Sequence, residues 1–195
     1  MYNFPLKLSF KKIALAPQIS VKDASGQELM YVRQKLFKLK EAIHVYSDNT
    51  RTNEIYSISA DRVIDFSARY NFRDAAGNDL GAIKRQGMRS IFKARYDILD
   101  GDASSLHIEE DNGFVKVMDA LFGEIPILGI FSGFVFNPTY SVKRNDGTTV
   151  VTIKKKPALF ESEFTIDEVV DIQDASEIRT ILSIIMMVLM ERARG

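Results

Sequence analysis

Cysteine is absent from this sequence, and so is tryptophan. Without cysteine the protein can form no disulfide, thiolate nucleophile or cysteine metal site, and a reducing compartment is permitted. An excess of charge is missing too, because 26 basic and 26 acidic residues give a formal net charge of zero. With no net field to attract a polyanion, nucleic acid is not an expected partner, and electrostatic recognition must come from a local patch. We expect a cytoplasmic protein.

Long uninterrupted hydrophobic runs are also missing. Lys7, Lys11 and Lys12 divide the apolar N-terminal stretch, which therefore does not resemble a secretory signal. The apolar segment 125–136 contains proline and glycine, and the segment 181–190 has only ten residues. A helix that spans a bilayer needs roughly 20. We expect both segments to be buried core, and we expect no transmembrane segment.

Catalytic and metal-binding patterns are scarce. The two histidines, His44 and His107, lack the spacing of paired zinc ligands, and we expect each to be hydrogen-bonded or exposed to solvent. The acidic residues 109–111 are explained by a turn before Gly113. Phosphate-binding loops and nucleophile elbows are absent from the sequence. We therefore expect no catalytic residue, no metal site and no cofactor, and a protein that is not an enzyme.

What the sequence does contain is an internal repeat. Three twelve-residue windows align without gaps, at residues 21–32, 72–83 and 142–153. Each window carries a glycine at the end of a small polar segment, and basic residues follow each window. A glycine in this position supplies the positive φ that a tight reversal needs. Each repeat therefore predicts a β-hairpin.

Apolar and polar residues alternate along the strands that flank these turns. The pattern is strongest over residues 64–72, and it recurs over 92–98 and 160–166. Such alternation is typical of strands with one face in the core. Leu80 and Ile83 lie three residues apart, which would put them on opposite faces of a regular strand, so we expect a β-bulge there.

The C-terminal segment has a different character. Asp174 and Glu177 resemble a helix N-cap and its partner carboxylate, and residues 178–190 contain no glycine or proline. The predicted helix is apolar on nearly every side, so it must be enclosed. Many strands and one enclosed helix predict a mainly β (α+β) fold, a closed or nearly closed antiparallel barrel in one domain over residues 1–195. A sandwich with the helix across one open end is the alternative.

Several segments together carry a family resemblance. They are residues 70–98, with a D-x-x-G turn, a basic pair and the sequence S-I-F, residues 133–140, residues 154–160, Phe164 and the closing apolar helix. These segments resemble the LURP-one-related family, which is grouped with the tubby C-terminal domain and the phospholipid scramblases. The resemblance implies a barrel of about twelve strands, built from hairpin units around a hydrophobic C-terminal helix.

For function, the resemblance implies action at a membrane surface. Tubby-like members bind phosphoinositide headgroups, and scramblase members act on membrane lipids. Their lipid-binding residues do not carry over to this sequence, because no short motif marks them here. The membrane-associated segment and the cysteine-rich stretch of the scramblases are absent, which argues against scrambling itself.

The strongest local signal for a ligand is a basic run in the second repeat. Five cations fall within residues 84–95 with no acid between them, and they are Lys84, Arg85, Arg89, Lys93 and Arg95. Arginine forks and lysine ammonium groups suit phosphate esters. The alternative is a solvated face whose charges are balanced by neighbouring strands. In the third repeat, we expect Glu161 and Glu163 to neutralise the basic residues 154–156.

Three functional hypotheses follow, in order of preference. The first is a non-enzymatic module that binds an anionic lipid headgroup or another phosphate-bearing ligand, in the cytoplasm and peripherally at the membrane. The second is a domain for protein–protein interaction or regulation. The third is an enzyme that uses the barrel only as a scaffold, since a fold does not fix a function.

Overall fold

Twelve antiparallel strands close into a barrel around a C-terminal helix. The computed structural model describes residues 2–11, 18–33, 42–62, 68–86, 95–111, 139–156 and 161–192. In chain order the elements are β1 (Leu6–Lys11), β2 (Gln18–Lys22), β3 (Glu28–Arg33), β4 (Ile43–Tyr46), β5 (Glu54–Ala60), β6 (Arg69–Asp74), β7 (Asp79–Arg85), β8 (Arg95–Asp100), β9 (Ala103–Glu110), β10 (Thr139–Arg144), β11 (Thr149–Lys156), β12 (Glu161–Glu168) and α1 (Asp174–Arg192). The predicted barrel is confirmed, and the sandwich alternative is wrong.

The strands follow one another around the barrel in sequence order, and β1 closes it by pairing with both β2 and β12. The connections therefore alternate between the two ends of the barrel. Tight turns at residues 23–27, 74–78 and 144–148 lie at one end, which we name the turn end. At the opposite end, named the far end, β7 finishes at Arg85 and β8 begins at Arg95.

Three of the tight turns belong to the predicted repeats, and they share one geometry. Their glycines have φ values of +87°, +85° and +88° at Gly26, Gly77 and Gly147. In the second turn, Asp74 Oδ1 accepts a hydrogen bond from the backbone N–H of Asn78 (2.8 Å). Asp23 does the same for Gln27 (2.9 Å), and Asp146 accepts a backbone hydrogen bond in the third turn. The hairpin prediction is confirmed.

Each repeat also contains the same irregularity, one extra residue in its second strand. The residues that the strand pairing skips are Leu29, Leu80 and Val150. The bulge at Leu80 explains the three-residue spacing, since Ile83 is fully buried and Leu80 packs against the same core. The predicted bulge is confirmed. The same shift recurs at Ile55 and Ser105, in two hairpins that the sequence repeat did not reveal.

The predicted alternation is present where the strands are described. Tyr70 and Phe72 are buried, whereas Asn71 is half-buried and Arg73 is exposed. One face of β6 therefore belongs to the core, as expected for a strand in a barrel wall. In the other two predicted stretches, Tyr96, Ile98, Phe164 and Ile166 are buried as expected, and residues 63–67, 91–94 and 160 lie outside the described residues.

The helix α1 runs through the barrel from the turn end to the far end. All ten residues from Ile181 to Met190 are buried. Ser183, the polar residue within this stretch, donates its hydroxyl to the backbone carbonyl of Arg179 (2.8 Å), so its burial leaves the hydroxyl satisfied. Among the described residues, no helix combines the length and the hydropathy required to cross a membrane. The prediction of an enclosed helix is confirmed.

A buried arginine fixes the first part of α1 to the barrel wall. Arg179 donates from Nε to the backbone carbonyl of Leu80 (2.7 Å) and pairs through Nη2 with Asp100 Oδ1 (2.8 Å). Gly81 lies against this guanidinium with a φ of +103°. A Cβ on Gly81 would lie 2.5 Å from Arg179 Nε and would also overlap the carbonyl oxygen of Leu99. Both the backbone conformation and the approach of Arg179 therefore require glycine.

We predict that Gly81→Ala destabilises the fold more than Gly77→Ala. Both glycines have a positive φ, which costs an alanine about 1–2 kcal/mol. A Cβ at Gly77 would meet no atom within 4 Å, whereas overlap at Gly81 adds about 1–3 kcal/mol. Urea unfolding of the two variants measures the difference. Equal destabilisation would contradict the close approach of Arg179 to Gly81.

Candidate functional site

The predicted basic run spans the end of β7 and the beginning of β8, at the far end of the barrel. Lys84, Arg85 and Arg95 belong to these strands. Arg89 and Lys93 lie outside the described residues. The structure therefore gives the orientation of three of the five side chains in the run.

Lys84 and Arg95 lie on the outer face of the barrel. Lys84 is exposed, and its cross-strand neighbour on β8 is Asp97. Arg95 lies two residues before Asp97 on the same strand, with its Nε 3.9 Å from Asp97 Oδ1. Asp97 Oδ2 also accepts a hydrogen bond from the side-chain amide of Gln86 (2.7 Å). One carboxylate therefore lies between the two outer cations.

Arg85 points in the opposite direction, into the barrel. It is only 8% exposed, and its guanidinium carbon lies 5.8 Å from the centroid of the Tyr96 ring, which is a cation–π geometry. Because successive residues of a strand face opposite sides, Arg85 does not share the face of Lys84. The described cations of the run thus divide into an outer pair, Lys84 and Arg95, and one inner arginine.

The inner face at the far end holds polar side chains around the end of α1. The hydroxyl of Tyr96 donates a hydrogen bond to a carboxylate oxygen of Glu191. Burial raises the pKa of Tyr96, and this hydrogen bond raises that pKa further. Burial also raises the pKa of Tyr140, as do the nearby charges of Glu191 and Glu110. Both phenols remain neutral, and Tyr96 acts as a donor that ties α1 to the barrel wall.

A second polar group extends from Arg95 across the outer face of β8, β9 and β10. We name it the outer cluster, and its members are Arg95, Asp97, His107, Glu109 and Lys143. His107 lies directly opposite Asp97 on β8 and Lys143 on β10. Lys143 Nζ pairs with Glu109 Oε1 (2.6 Å), and His107 Nε2 lies 3.8 Å from Glu109 Oε2. Three strands thus bring charges of both signs around one imidazole.

Two pKa values in the outer cluster shift downwards. The hydrogen bond from Lys143 is the main cause of the lowered pKa of Glu109. Burial lowers the pKa of His107, and the positive charge of Arg95 lowers it further. Glu109 is therefore ionised and His107 is neutral at neutral pH.

The two histidines differ from each other in their surroundings. His44 fits the expectation of an ordinary histidine, because its Nδ1 lies 2.9 Å from Glu54 Oε1 and its side chain is 48% exposed. His107 does not fit that expectation. Its residue is 7% exposed, and its Nδ1 is buried with no hydrogen-bond partner in the described part of the chain.

Glu109 and Glu110 lie in β9, so the expectation that a turn explains the acidic cluster is wrong for these two residues, whereas residues 112 and 113 lie outside the described ranges. Glu109 pairs outward with Lys143, and Asp111 accepts a hydrogen bond from Ser141 Oγ (2.8 Å). Within the described ranges, no three histidine, aspartate or glutamate side chains are grouped so that they could hold a metal ion.

Basic residues of the third repeat have carboxylate partners. Lys156 Nζ lies 3.0 Å from Glu163 Oε1, as the sequence led us to expect, and Lys154 Nζ lies 3.5 Å from Asp167 Oδ2. The side chain of Glu161 lies outside the described residues. Lys84 occupies the position in the second repeat that Lys154 occupies in the third. Among the described residues, Lys84 forms no ion pair.

The sequence predicts neither the inner polar group, which consists of Tyr96, Tyr140 and Glu191, nor the outer cluster. The sequence signal for the inner group is Glu191, a single acid directly after the apolar stretch of α1, because a carboxylate there needs a hydrogen-bond donor at the end of the barrel. No local signal marks the outer cluster, because strand pairing brings His107 beside Lys143, which lies far along the chain.

We predict that Tyr96→Phe lowers the free energy of unfolding by about 1.5–3 kcal/mol, because it removes a hydrogen bond to a charged group. Tyr70→Phe is the matched control, since Tyr70 is also buried and its hydroxyl makes no hydrogen bond within the described residues. Chemical denaturation compares the two variants. The same small loss in both would show that the bond from Tyr96 to Glu191 does not hold α1 in place.

Residues 28–188 match the sequence model of a protein family described as LURP-one-related. The match begins at β3 and ends within α1, so it includes the basic run, Arg85, Tyr96 and Tyr140 on the inner face, and the whole outer cluster, but not Glu191. No curated protein matches the chain. Because the family match covers most of the sequence, from β3 to within the enclosed helix, this chain belongs to the LURP-one-related family.

Proposed function

We propose that this protein binds anionic lipid headgroups, phosphoinositides in particular, through the basic run from Lys84 to Arg95. Membership of the LURP-one-related family fits a non-enzymatic binding module. The general relationship of this family to tubby-like and scramblase-like proteins supports lipid as the ligand. The protein then acts in the cytoplasm and peripherally at a membrane.

The observation that carries the proposal is the contrast between two equivalent lysines. Lys154 in the third repeat lies 3.5 Å from a carboxylate oxygen of Asp167. Lys84 in the second repeat is exposed and forms no ion pair within the described residues. An ammonium group without a carboxylate partner is available to a phosphate ester. The second repeat is therefore the better anion site.

The position of Arg95 also supports an anion site in the second repeat. Its side chain is 42% exposed, and its Nε is 3.9 Å from Asp97, which is too far for a hydrogen bond. The guanidinium of Arg95 can therefore bind a phosphate group, because its N–H donors match the geometry of the phosphate oxygens. Lys84 and Arg95 lie on neighbouring strands, on the same face and at the same end of the barrel.

The remaining three residues of the basic run have different proposed roles. Arg89 and Lys93 lie between the outer pair in sequence, and we propose that they contact the same headgroup. Arg85 packs over Tyr96 inside the barrel. We propose that Arg85 supports the end of β7 from within, and that the other four cations contact the headgroup.

A protein partner is the second candidate function. The outer cluster favours it, because Asp97 and Glu109 alternate with cations across three strands. A surface with charges of both signs matches a partner protein better than a uniformly anionic membrane. Vesicle binding therefore separates the two candidates.

We predict that Lys84→Gln/Arg95→Gln weakens binding to phosphatidylcholine vesicles that contain phosphatidylinositol bisphosphate. Each basic residue near an anionic surface contributes about 1 kcal/mol, so the loss is roughly 30-fold. Co-sedimentation at low and moderate salt measures it, and wild-type binding weakens as salt rises. Thermal unfolding should change little, because exposed charges contribute little to stability.

The matched control is Lys154→Gln/Lys156→Gln, which also removes two positive charges but from lysines with carboxylate partners. This control should retain wild-type binding. An equal loss in both double variants would contradict a specific site in the second repeat. A wild-type protein that does not bind these vesicles even at low salt would remove the lipid proposal and leave a protein partner as the better candidate.

A further inference from the structure

Two buried nitrogens on the outer face have no hydrogen-bond partner in the part of the chain that the structure describes. They are Arg95 Nε and His107 Nδ1. Arg95 on β8 lies opposite Glu109 on β9, and His107 is two residues before Glu109. The side chains of Arg95 and His107 are therefore diagonal neighbours across the two strands. Long and aromatic side chains in this relation can reach each other. Unsatisfied buried polar atoms are rare in native proteins and call for a physical explanation.

The carboxylates near these nitrogens are already engaged. Glu109 accepts from Lys143 Nζ (2.6 Å), and Asp97 accepts from the amide of Gln86 (2.7 Å). Neither carboxylate bonds to these nitrogens. Arg95 Nε lies 3.9 Å from Asp97 Oδ1, and His107 Nδ1 has no partner among the described residues, while the other ring nitrogen, Nε2, lies 3.8 Å from Glu109 Oε2. Arg95 Nε is a donor, and His107 Nδ1 is certain to be one once the ring is protonated, so the protonated cluster lacks an acceptor for these two nitrogens within the described residues.

The charge of the outer cluster depends on one proton. Arg95 and Lys143 supply two positive charges, and Asp97 and Glu109 supply two negative charges, so the cluster is neutral while His107 is neutral. Protonated His107 gives the cluster a net charge of +1 and makes both ring nitrogens donors. Lys84 adds a further cation on the neighbouring strand. Protonation therefore converts a balanced surface into one that attracts anions.

We propose that Arg95 and His107 form a phosphate-binding subsite whose affinity rises when His107 takes up a proton. A phosphate oxygen would accept hydrogen bonds from Arg95 Nε and from His107 Nδ1. Arg95, with its side chain 42% exposed, is reached first from solvent, and the imidazole, 8% exposed, lies deeper. The inference rests on the proposed function, because the phosphate is either part of a lipid headgroup or a soluble ester.

The direction of the pH dependence follows from the surroundings of His107. Burial, Arg95 and Lys143 lower the pKa of His107, while Glu109 and Asp97 oppose this shift. A bound phosphate places negative charge beside the ring and offsets the effect of Arg95, so the pKa of His107 is higher in the bound state. Binding is then coupled to proton uptake, and affinity increases as the pH falls through the range between the free and bound pKa values.

NMR provides the test, because the protein has only two histidines. We would follow the imidazole Cε1–Hε1 signals against pH, in inorganic phosphate and in chloride at equal ionic strength. Phosphate should raise the apparent pKa of His107 by about one unit or more, the size expected for an opposite charge close to the ring. His44, exposed beside Glu54, is the internal control and should not shift. Arg95→Gln should abolish the rise, and Lys154→Gln should preserve it.

Vesicle binding identifies the source of the phosphate. Vesicles with phosphatidylinositol bisphosphate should bind the wild-type protein more tightly at pH values below the bound pKa of His107 than at neutral pH. His107→Gln should lose this difference, while the titration of the lipid phosphate affects both proteins equally. A His107 signal that responds to inorganic phosphate without any vesicle binding would support the subsite and identify a soluble ester as its ligand.

Two results would overturn the inference. If the pKa of His107 is unchanged by phosphate while vesicles still bind, the subsite is wrong and the proposed function remains. If neither phosphate nor vesicles affect the protein, both the subsite and the lipid proposal are wrong. The wild-type NMR titration needs no variant, so the test holds even if His107→Gln fails to fold.

Discussion

A helix with no polar face can exist in water only when other parts of the chain enclose it, and this requirement governs the structure. The residues of α1 from Ile181 to Met190 are all buried. The ends of the helix cannot be apolar, because they meet the barrel rims, and each end has a specific partner. At the turn end, Arg179 bonds to Leu80 and Asp100, and at the far end Glu191 accepts from Tyr96. The helix is thus positioned along its axis as well as enclosed.

Enclosing the helix determines where the candidate sites lie. Side chains that point inward from the barrel wall pack in the core. A site accessible to solvent must therefore be formed by outward-facing side chains or by residues at the barrel rims. Lys84 and Arg85 are consecutive, yet the first faces solvent and the second packs over Tyr96. The barrel therefore converts one basic run into an outer pair of cations and an inner arginine. Pairing of β8, β9 and β10 then places His107 next to this outer pair.

Much of this architecture can be predicted from the sequence, because turn glycines, alternation and an apolar helix are local signals. The hairpin of β4 and β5 carries no such signal, because its turn reverses at Arg51, with a φ of +60°, and contains no glycine. The charge of Arg85 places it in the basic run, but its two-residue spacing from Ile83 indicates the inner face of the barrel. The contact of His107 with Lys143 depends on long-range strand pairing, which local patterns do not specify.

Native-state hydrogen exchange tests the central claim, that the fold depends on the enclosed helix, most directly. An enclosed helix can exchange its central amides only when the barrel opens, so the amides of residues 181–190 should exchange with the free energy of global unfolding, the value obtained from denaturant titration. The amides of β10 and β11 should show the same free energy. Helix amides that exchange with a clearly lower free energy than these strands would contradict the claim, because α1 could then leave a barrel that remains folded without it.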